Sequence, residues 1–299
     1  MSTLVDTLNR GARFPFTELL LLAVAIVWGS SYGLTKSALV FTSVLGFIAV
    51  RFSLTSLLLM PFVVRDFQHG HNRDWLVALP TGGVLAAIFF CEVYGVFHTG
   101  ASNAAFLISL SVIFTTVAER LINRKAVGQG IVLLAFLSVI GVFLLTYQSE
   151  RSWSLNRGDY FILGAALLRA LMVTCTKQLT EGKQVTTVTL TALQSTTVAA
   201  SALLVMALSG DSLTLPNSGA YWLITAYLVV FCTLFAFAVQ NYAVRRTSPT
   251  RVSLLMGSEP LWGALFAIFW LEESLTWVQG VGAALILVCV VAASLRQER

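Results

Sequence analysis

Arg51, Glu92, Arg169 and Glu259 each stand inside a long apolar run of this 299-residue chain. Ionisable side chains are costly to bury among apolar ones, so each is a candidate for holding a charged ligand, pairing across a gate or relaying a proton. Glu259 is the sharpest case because Pro260 follows it. Proline cannot donate to the carbonyl of Met256, so the pair predicts a kinked helix with a freed carbonyl beside a carboxylate, which suits a gate. A static ion pair of Glu259 with Arg51 or Arg169 is the competing reading. Glu92 follows Pro80, Gly82 and Gly83 on a segment able to bend at its start. For it an interhelical hydrogen bond competes with proton coupling. Lys36 lies near the end of its run and reads as a side chain snorkelling to an interface.

Uncharged polar groups in the same runs are Ser30, Tyr32, Asn103, Ser109, Ser111, Gln240 and Asn241. Such donors, with helix ends, hold a zwitterion without a full buried charge opposite each pole. Trp28, Phe90, Tyr94, Phe106 and Trp262 are candidate apolar walls, each with lipid-facing or core packing as its alternative. From these we nominate Trp28, Tyr32, Phe90, Tyr94, Asn103, Ser111, Gln240 and Trp262 for substrate binding. Glu92, Arg169, Glu259 and Pro260 are nominated for gating or coupling.

What must position these residues is a set of membrane-spanning helices. The chain is 57% hydrophobic and only 11% charged, with a mean hydropathy of +0.82, too apolar for a soluble surface. A helix needs about 20 apolar residues to cross the hydrocarbon. Ten runs of that order fall at 17–39, 43–64, 75–97, 102–121, 127–146, 160–176, 185–208, 220–243, 253–271 and 276–295. They are continuous and rich in Leu and Ala, unlike the alternating strands of a barrel. The fold class is therefore all-α and polytopic, a single transmembrane domain over 1–299.

Charge sets its expected orientation. Of the 19 Lys and Arg, fourteen fall at the N-terminus and in alternate loops: Arg10, Arg13, Arg65, Arg73, Arg120, Arg124, Lys125, Lys177, Lys183, Arg245, Arg246, Arg251, Arg296 and Arg299. The opposite loops hold only Arg151 and Arg157. By the positive-inside rule both termini are expected in the cytoplasm. The net charge of +5 then reflects topology, and the dispersed basic residues form no stripe for nucleic acid. Cys91, Cys175, Cys232 and Cys289 all fall within runs, where cysteine serves as a small apolar residue rather than as part of a disulfide or zinc framework. The first run is too long for a signal-peptide core and is expected to remain as a helix.

The chain also resembles itself. An offset of 148 residues sets Tyr94 on Tyr242, Val96 on Val244, Thr99 on Thr247 and Leu107 on Leu255, with Glu92 on Gln240 and Val112 on Pro260. An offset of 141 sets Lys36 on Lys177, and a small gap sets Gly130 on Gly280. Two repeats, about 17–147 and 159–295, each hold five runs. Five is odd, so the repeats are inverted, an architecture that lets transporters expose a midplane site alternately to each side. Gly128, Gly130, Gly141 and the 280–284 stretch suit close helix packing, which assigns the fifth and tenth runs to scaffolding.

Trp28-Gly29-Ser30-Ser31-Tyr32 with Lys36, Arg51-Phe52, Ser109-Leu110-Ser111, Glu259-Pro260 and Leu271-Glu272-Glu273-Ser274-Leu275 resemble the EamA-type transporters. These are ten-helix members of the drug/metabolite transporter superfamily, and the likeness runs over almost the whole chain. Within it the sequence is most similar to the bacterial YddG-type exporters of aromatic and other amino acids. The resemblance implies a multi-pass protein of the bacterial inner membrane that exports amino acids by alternating access. It departs from the family at Val112, where proline is usual, and at Arg169, where tryptophan is usual. The first departure puts a symmetric pair of kinks in doubt, and the second gives the two halves different chemistry.

Other activities find little support. Gly210-Asp211-Ser212-Leu213 is lipase-like but lies in a short loop. His69 and His71 are accompanied by no Cys or third His and read as a solvated loop, and no phosphate-binding Gly-x-x-x-x-Gly-Lys-Ser/Thr loop is present. No cofactor or metal is expected. Transport is then driven by gradients, with proton coupling open. The expected partners are an amino-acid substrate and the lipid bilayer, and the chain is expected to act as a monomer with a homodimer as the alternative. The remaining functional alternatives are export of a nucleoside or drug-like compound, a passive channel, and an intramembrane enzyme, which would need a nucleophile and base not evident here.

Overall fold

The computed structural model describes residues 16–147, 155–271 and 276–295. Arg10, Arg13, Arg151, Arg296, Arg299 and the Glu272-Glu273-Ser274-Leu275 stretch lie outside the described residues. Within them every regular element is helical. In chain order the helices are α1 (Phe16–Ala38), α2 (Val44–Gln68), α3 (Trp75–His98), α4 (Ser102–Ile122), α5 (Gln129–Leu145), α6 (Arg157–Thr180), α7 (Thr187–Ser209), α8 (Gly219–Val244), α9 (Pro249–Met256), α10 (Glu259–Leu271) and α11 (Trp277–Leu295). Eight of these, all but α5, α9 and α10, are long and apolar enough to cross a membrane.

Several helices depart from a straight rod, among them α1 and the span before and after Gly257. In α1 the hydroxyls of Ser30 and Ser31 donate back to the carbonyls of Val27 (2.9 Å) and Trp28 (2.8 Å), competing with the helical ladder where it is interrupted. The run expected as one helix over 253–271, kinked at Pro260, is instead two helices with the break at Gly257 and Ser258. Pro260 is the second residue of α10, in a first turn whose N–H groups have no intrahelical partner, so its missing donor does not cause the break. Side-chain caps begin several helices. Asn156 and Asp159 form a reciprocal capping box at α6, and Thr186 and Ser248 cap α7 and α9.

α2 lies along α7, α3 along α6 and α7, α4 along α6, α5 along α11, and α1 along α10. At the α5–α11 crossing a Cβ on Gly282 would stand 2.5 Å from the Leu145 nitrogen and 2.6 Å from the Gly141 oxygen. The two backbones therefore touch, as small-residue pairs allow. Gly128 and Gly280, expected in the same role, face open space. Leu133, Phe136, Leu287 and Val288 on this pair are exposed, a surface suited to lipid. A polar thread crosses the interior: Asn241 donates to Gln194 Oε1 (2.8 Å) and Thr191 Oγ1 (3.0 Å), and Gln194 donates to Thr81 Oγ1 (2.9 Å). It ties α8 to α7 and α3.

Buried polar contacts close both ends of the bundle. At one end Glu18 and Arg251 pair at 2.8 Å with side chains 5% and 6% exposed, and Arg251 also donates to the Ser294 carbonyl at 3.0 Å. Beside them Glu119 accepts from the Thr250 amide (2.8 Å) and hydroxyl (2.5 Å). α1, α4, α9 and α11 are thereby joined. At the other end Thr99 donates to Asp159 at 2.5 Å, and Lys36 donates to the Thr99 carbonyl at 3.4 Å. In the loop before α3, the Gln184 amide and then Lys183 hold the Asp74 carboxyl below the usual carboxylate range.

Candidate functional site

α1, α2, α3, α4, α6, α8, α9 and α10 surround an interior cavity of about 50 Å³, room for several water molecules. Of the twelve residues nominated from sequence, Trp28, Tyr32, Glu92, Ser111, Arg169, Gln240 and Glu259 line it. Arg51, weighed as an ionisable candidate, lines it too, as do Phe89, Met172, Phe237 and Met256.

The four charged groups divide into a pair and two singles. Arg169 Nη1 lies 3.0 Å from Glu259 Oε1, and the same oxygen accepts from the Tyr32 hydroxyl at 3.1 Å. Glu259 is the first residue of α10, where the helix dipole favours a carboxylate. Its other oxygen, Oε2, is buried without a hydrogen-bond partner among the described residues. The Arg169 guanidinium also sits over the Trp28 ring, 4.6 Å from its centroid, and a cation so placed is attracted by the ring face. This is the ion pair anticipated between Glu259 and Arg169, with a tyrosine and a tryptophan built around it.

Arg51 and Glu92 are the singles. Arg51 donates through Nε to Thr233 Oγ1 at 2.7 Å and lies 5.2 to 5.9 Å from the ring centroids of Phe47, Phe52 and Phe89. Its terminal nitrogens make no hydrogen bond, and it has no carboxylate within ion-pair distance, among the described residues. Glu92 likewise faces the cavity with neither a hydrogen bond nor an ion pair among the described residues, within electrostatic reach of both arginines. The cavity thus presents a guanidinium and a carboxyl group, neither of them in an ion pair among the described residues. Phe89 packs edge-on against Phe52 and Phe237, and Phe237 against Trp28 at 5.6 Å, and Trp28, Phe89 and Phe237 give the cavity an aromatic wall.

Close approach of α1 and α10 brings Tyr32 to Glu259. A Cβ on Gly29 would stand 2.6 Å from the Gly263 nitrogen and 2.9 Å from the Glu259 oxygen. Only glycine permits this crossing.

Five nominated residues lie elsewhere. On α3 the cavity face runs through Ile88, Phe89, Glu92, Val93 and Val96, a helical spacing that turns Phe90 and Tyr94 onto another face. Those two line an open groove of about 660 Å³ at the ends of α2, α3 and α7, where Tyr94 packs on Phe161 and His98. Trp262 is half-buried and donates to Ser258 Oγ at 3.2 Å. Asn103 is half-buried near the start of α4, and Pro260 serves the first turn of α10. Asn241 is engaged in the polar thread, and Ser30 meets the Tyr227 hydroxyl at 3.0 Å.

The sequence held a signal for the residues it missed. The 148-residue offset that pairs Glu92 with Gln240 also pairs Phe89 with Phe237 and Ser111 with Glu259, and the offset of 141 pairs Trp28 with Arg169. All eight line the one cavity. Thr233 left no such signal, because its role depends on a local change of helix type.

The profile of the EamA-like transporter family matches residues 15–147 and 156–295. An uncharacterized transporter of Archaeoglobus fulgidus is 26% identical over 289 residues, spanning 96% of this chain and 88% of its own. The uncharacterized transporter YyaM of Bacillus subtilis is 22% identical over 289 residues, spanning 92% of each. A protein of known crystal structure has the same fold, with a TM-score of 0.76 at 14% identity over 93% of this chain and 96% of that one.

Proposed function

We propose, from the premise that this chain belongs to the EamA-like transporter family and is a multi-pass membrane transporter, that it exports apolar and aromatic amino acids by alternating access. The observation that carries this reading is that Arg51 and Glu92, neither in an ion pair among the described residues, share one cavity with an aromatic wall. A zwitterion presents a carboxylate to the first and an ammonium to the second, and its side chain meets Trp28, Phe89 and Phe237. Arginine favours carboxylates because its fork of N–H groups matches both oxygens.

The proposed mechanism takes the chain as two inverted repeats of five helices, with α9 and α10 counted as one broken span. The family profile matches the chain twice, and residues equivalent by the offsets above meet at one cavity, as a site on a repeat interface requires. The buried contacts at both ends of the bundle are the ones that alternating access must break in turn. Substrate admission then needs one set of contacts to open, Glu18–Arg251 and Glu119–Thr250 on the cytoplasmic side or Thr99–Asp159 on the outer side. The aromatic-exporter specificity and the inner-membrane location rest on the sequence resemblance.

Substrate poles give the test. In counterflow with Arg51→Met, phenylalanine is expected to lose roughly tenfold or more in apparent affinity, the range of a charge-assisted hydrogen bond, while phenylalaninamide, which has no carboxylate, loses little. Glu92→Gln should weaken phenylalanine and spare 3-phenylpropionate, which has no ammonium. Equal losses for the intact and truncated compounds in both variants contradict the reading.

Orientation has its own check. Reporter fusions after Arg73, Arg124, Lys183 and Arg246 are expected to report cytoplasm, and one after Arg157 the opposite side. Reversal at two or more of these sites contradicts cytoplasmic termini.

A further inference from the structure

Midway along α8 the chain leaves the α-helical repeat and runs as a π-helix over Leu228–Phe235. Such turns are rare and carry one residue more per turn, which points groups inward that an α-helix would place elsewhere. Thr233 shows the change directly. Its hydroxyl donates to the Leu228 carbonyl, five residues back, at 2.8 Å. The threonines of regular helix in this chain, such as Thr55 and Thr174, bond four residues back. In that orientation Thr233 Oγ1 still has an acceptor site, and the Arg51 Nε–H fills it at 2.7 Å. The residue is fully buried, with its hydroxyl proton given to Leu228 and one lone pair taken by Arg51.

The same turn anchors the aromatic side of the cavity. The Cys232 carbonyl accepts from Trp28 Nε1 at 2.9 Å, and the Cys232 thiol donates to the Val27 carbonyl at 3.4 Å. One irregular turn therefore fixes both the guanidinium and the indole.

We propose that Thr233 is a positioning residue for substrate recognition: by engaging Nε, it orients the Arg51 guanidinium so that its two terminal nitrogens face the cavity for a carboxylate. This rests on the assignment of Arg51 to the substrate carboxylate and adds a residue that never touches the substrate. Three phenyl rings pack around the guanidinium, yet rings attract a cation without fixing its rotation. The hydrogen bond to Nε supplies that constraint. It leaves the fork of Nη1 and Nη2 free, the geometry that a bidentate carboxylate needs.

The test is counterflow of phenylalanine and phenylalaninamide in Thr233→Val, which keeps the shape and removes the hydroxyl, with Thr233→Ser as rescue. In Thr233→Val the apparent KM for phenylalanine is expected to rise about tenfold, as for loss of an oriented charge-assisted bond, with Vmax within twofold of wild type. Phenylalaninamide should shift less than twofold, and Thr233→Ser should behave as wild type for both. Arg51→Lys has no Nε fork to orient, so adding Thr233→Val to it should produce no further change, a null coupling that a general loosening of α8 would not give. If Thr233→Val does not yield a monodisperse protein, Thr233→Ala is held to the same expectations.

Equal KM shifts for acid and amide, or a fall in Vmax alone, overturn the assignment and leave Thr233 a structural residue of the turn. If Arg51→Lys separates acid from amide while Thr233→Val does not, only the role of Thr233 fails. If Arg51→Lys does not separate them, the carboxylate reading itself fails and takes this inference with it.

Discussion

Replacing Arg169 by Met is expected to abolish transport and to lower the unfolding free energy of the solubilised protein by roughly 3–5 kcal/mol, the range for breaking a buried ion pair by removing one partner. The reason lies in what remains. Glu259 is 2% exposed, with one oxygen bonded to Arg169 and Tyr32 and the other to nothing among the described residues. Without the guanidinium, a carboxylate is left in an apolar interior with a single hydroxyl donor. Trp28 loses the cation over its ring as well. Thermal unfolding in detergent together with counterflow measures both effects. Adding Glu259→Gln to Arg169→Met should recover much of the stability, since two neutral residues no longer demand each other, while transport stays lost. Wild-type unfolding and activity in the single variant would remove the ion pair from the account.

Gly29→Ala is expected to cost about 1–3 kcal/mol of stability, as overpacking typically does, and most of the transport activity. The added Cβ would lie 2.6 Å from the Gly263 nitrogen, 2.9 Å from the Glu259 carbonyl and 3.0 Å from the Trp262 carbonyl carbon. These are backbone atoms of α10, so no side chain can swing away. The helices must separate, and Tyr32 and Glu259 separate with them. Gly33, one turn further along α1, is the control because a Cβ there meets nothing within 4 Å. Gly33→Ala should be near neutral in stability and flux. If the two alanine variants behave alike, the α1–α10 crossing does not set the site.

Much of the architecture was legible because lipid imposes a simple rule: a spanning segment must satisfy its backbone internally and present an apolar surface. Hydropathy alone therefore located α1 to α8 and α11. It located their ends less well, since caps such as Asn156 with Asp159, which start α6 at Arg157, are polar and fall outside an apolar count. The site was half legible. Arg51, Glu92, Arg169 and Glu259 stood out because charge in an apolar run is rare, and Trp28, Tyr32, Ser111 and Gln240 followed from neighbouring positions. Composition nominates Phe90 and Tyr94 while Phe89 lines the cavity, because composition does not give the rotation of a helix about its axis. Which face of α3 turns inward is decided by packing against α6 and α7. Pro260 misled for a related reason. Proline breaks a helix interior but suits a first turn, and only the fold reveals that Gly257 and Ser258 have already ended the preceding helix. The π-turn carries tertiary hydrogen bonds, from Arg51 to Thr233 and from Trp28 to the Cys232 carbonyl, which no local pattern encodes.

The central claim, that the cavity between Arg51 and Glu92 carries an aromatic zwitterion across the membrane, is tested most directly by counterflow in proteoliposomes. Vesicles preloaded with unlabelled phenylalanine should take up external labelled phenylalanine in a saturable overshoot, greater than for sugars or nucleosides and abolished by Arg169→Met. Vesicles that exchange no amino acid yet move a sugar or nucleoside, or that pass phenylalanine without saturation or counterflow, would contradict it.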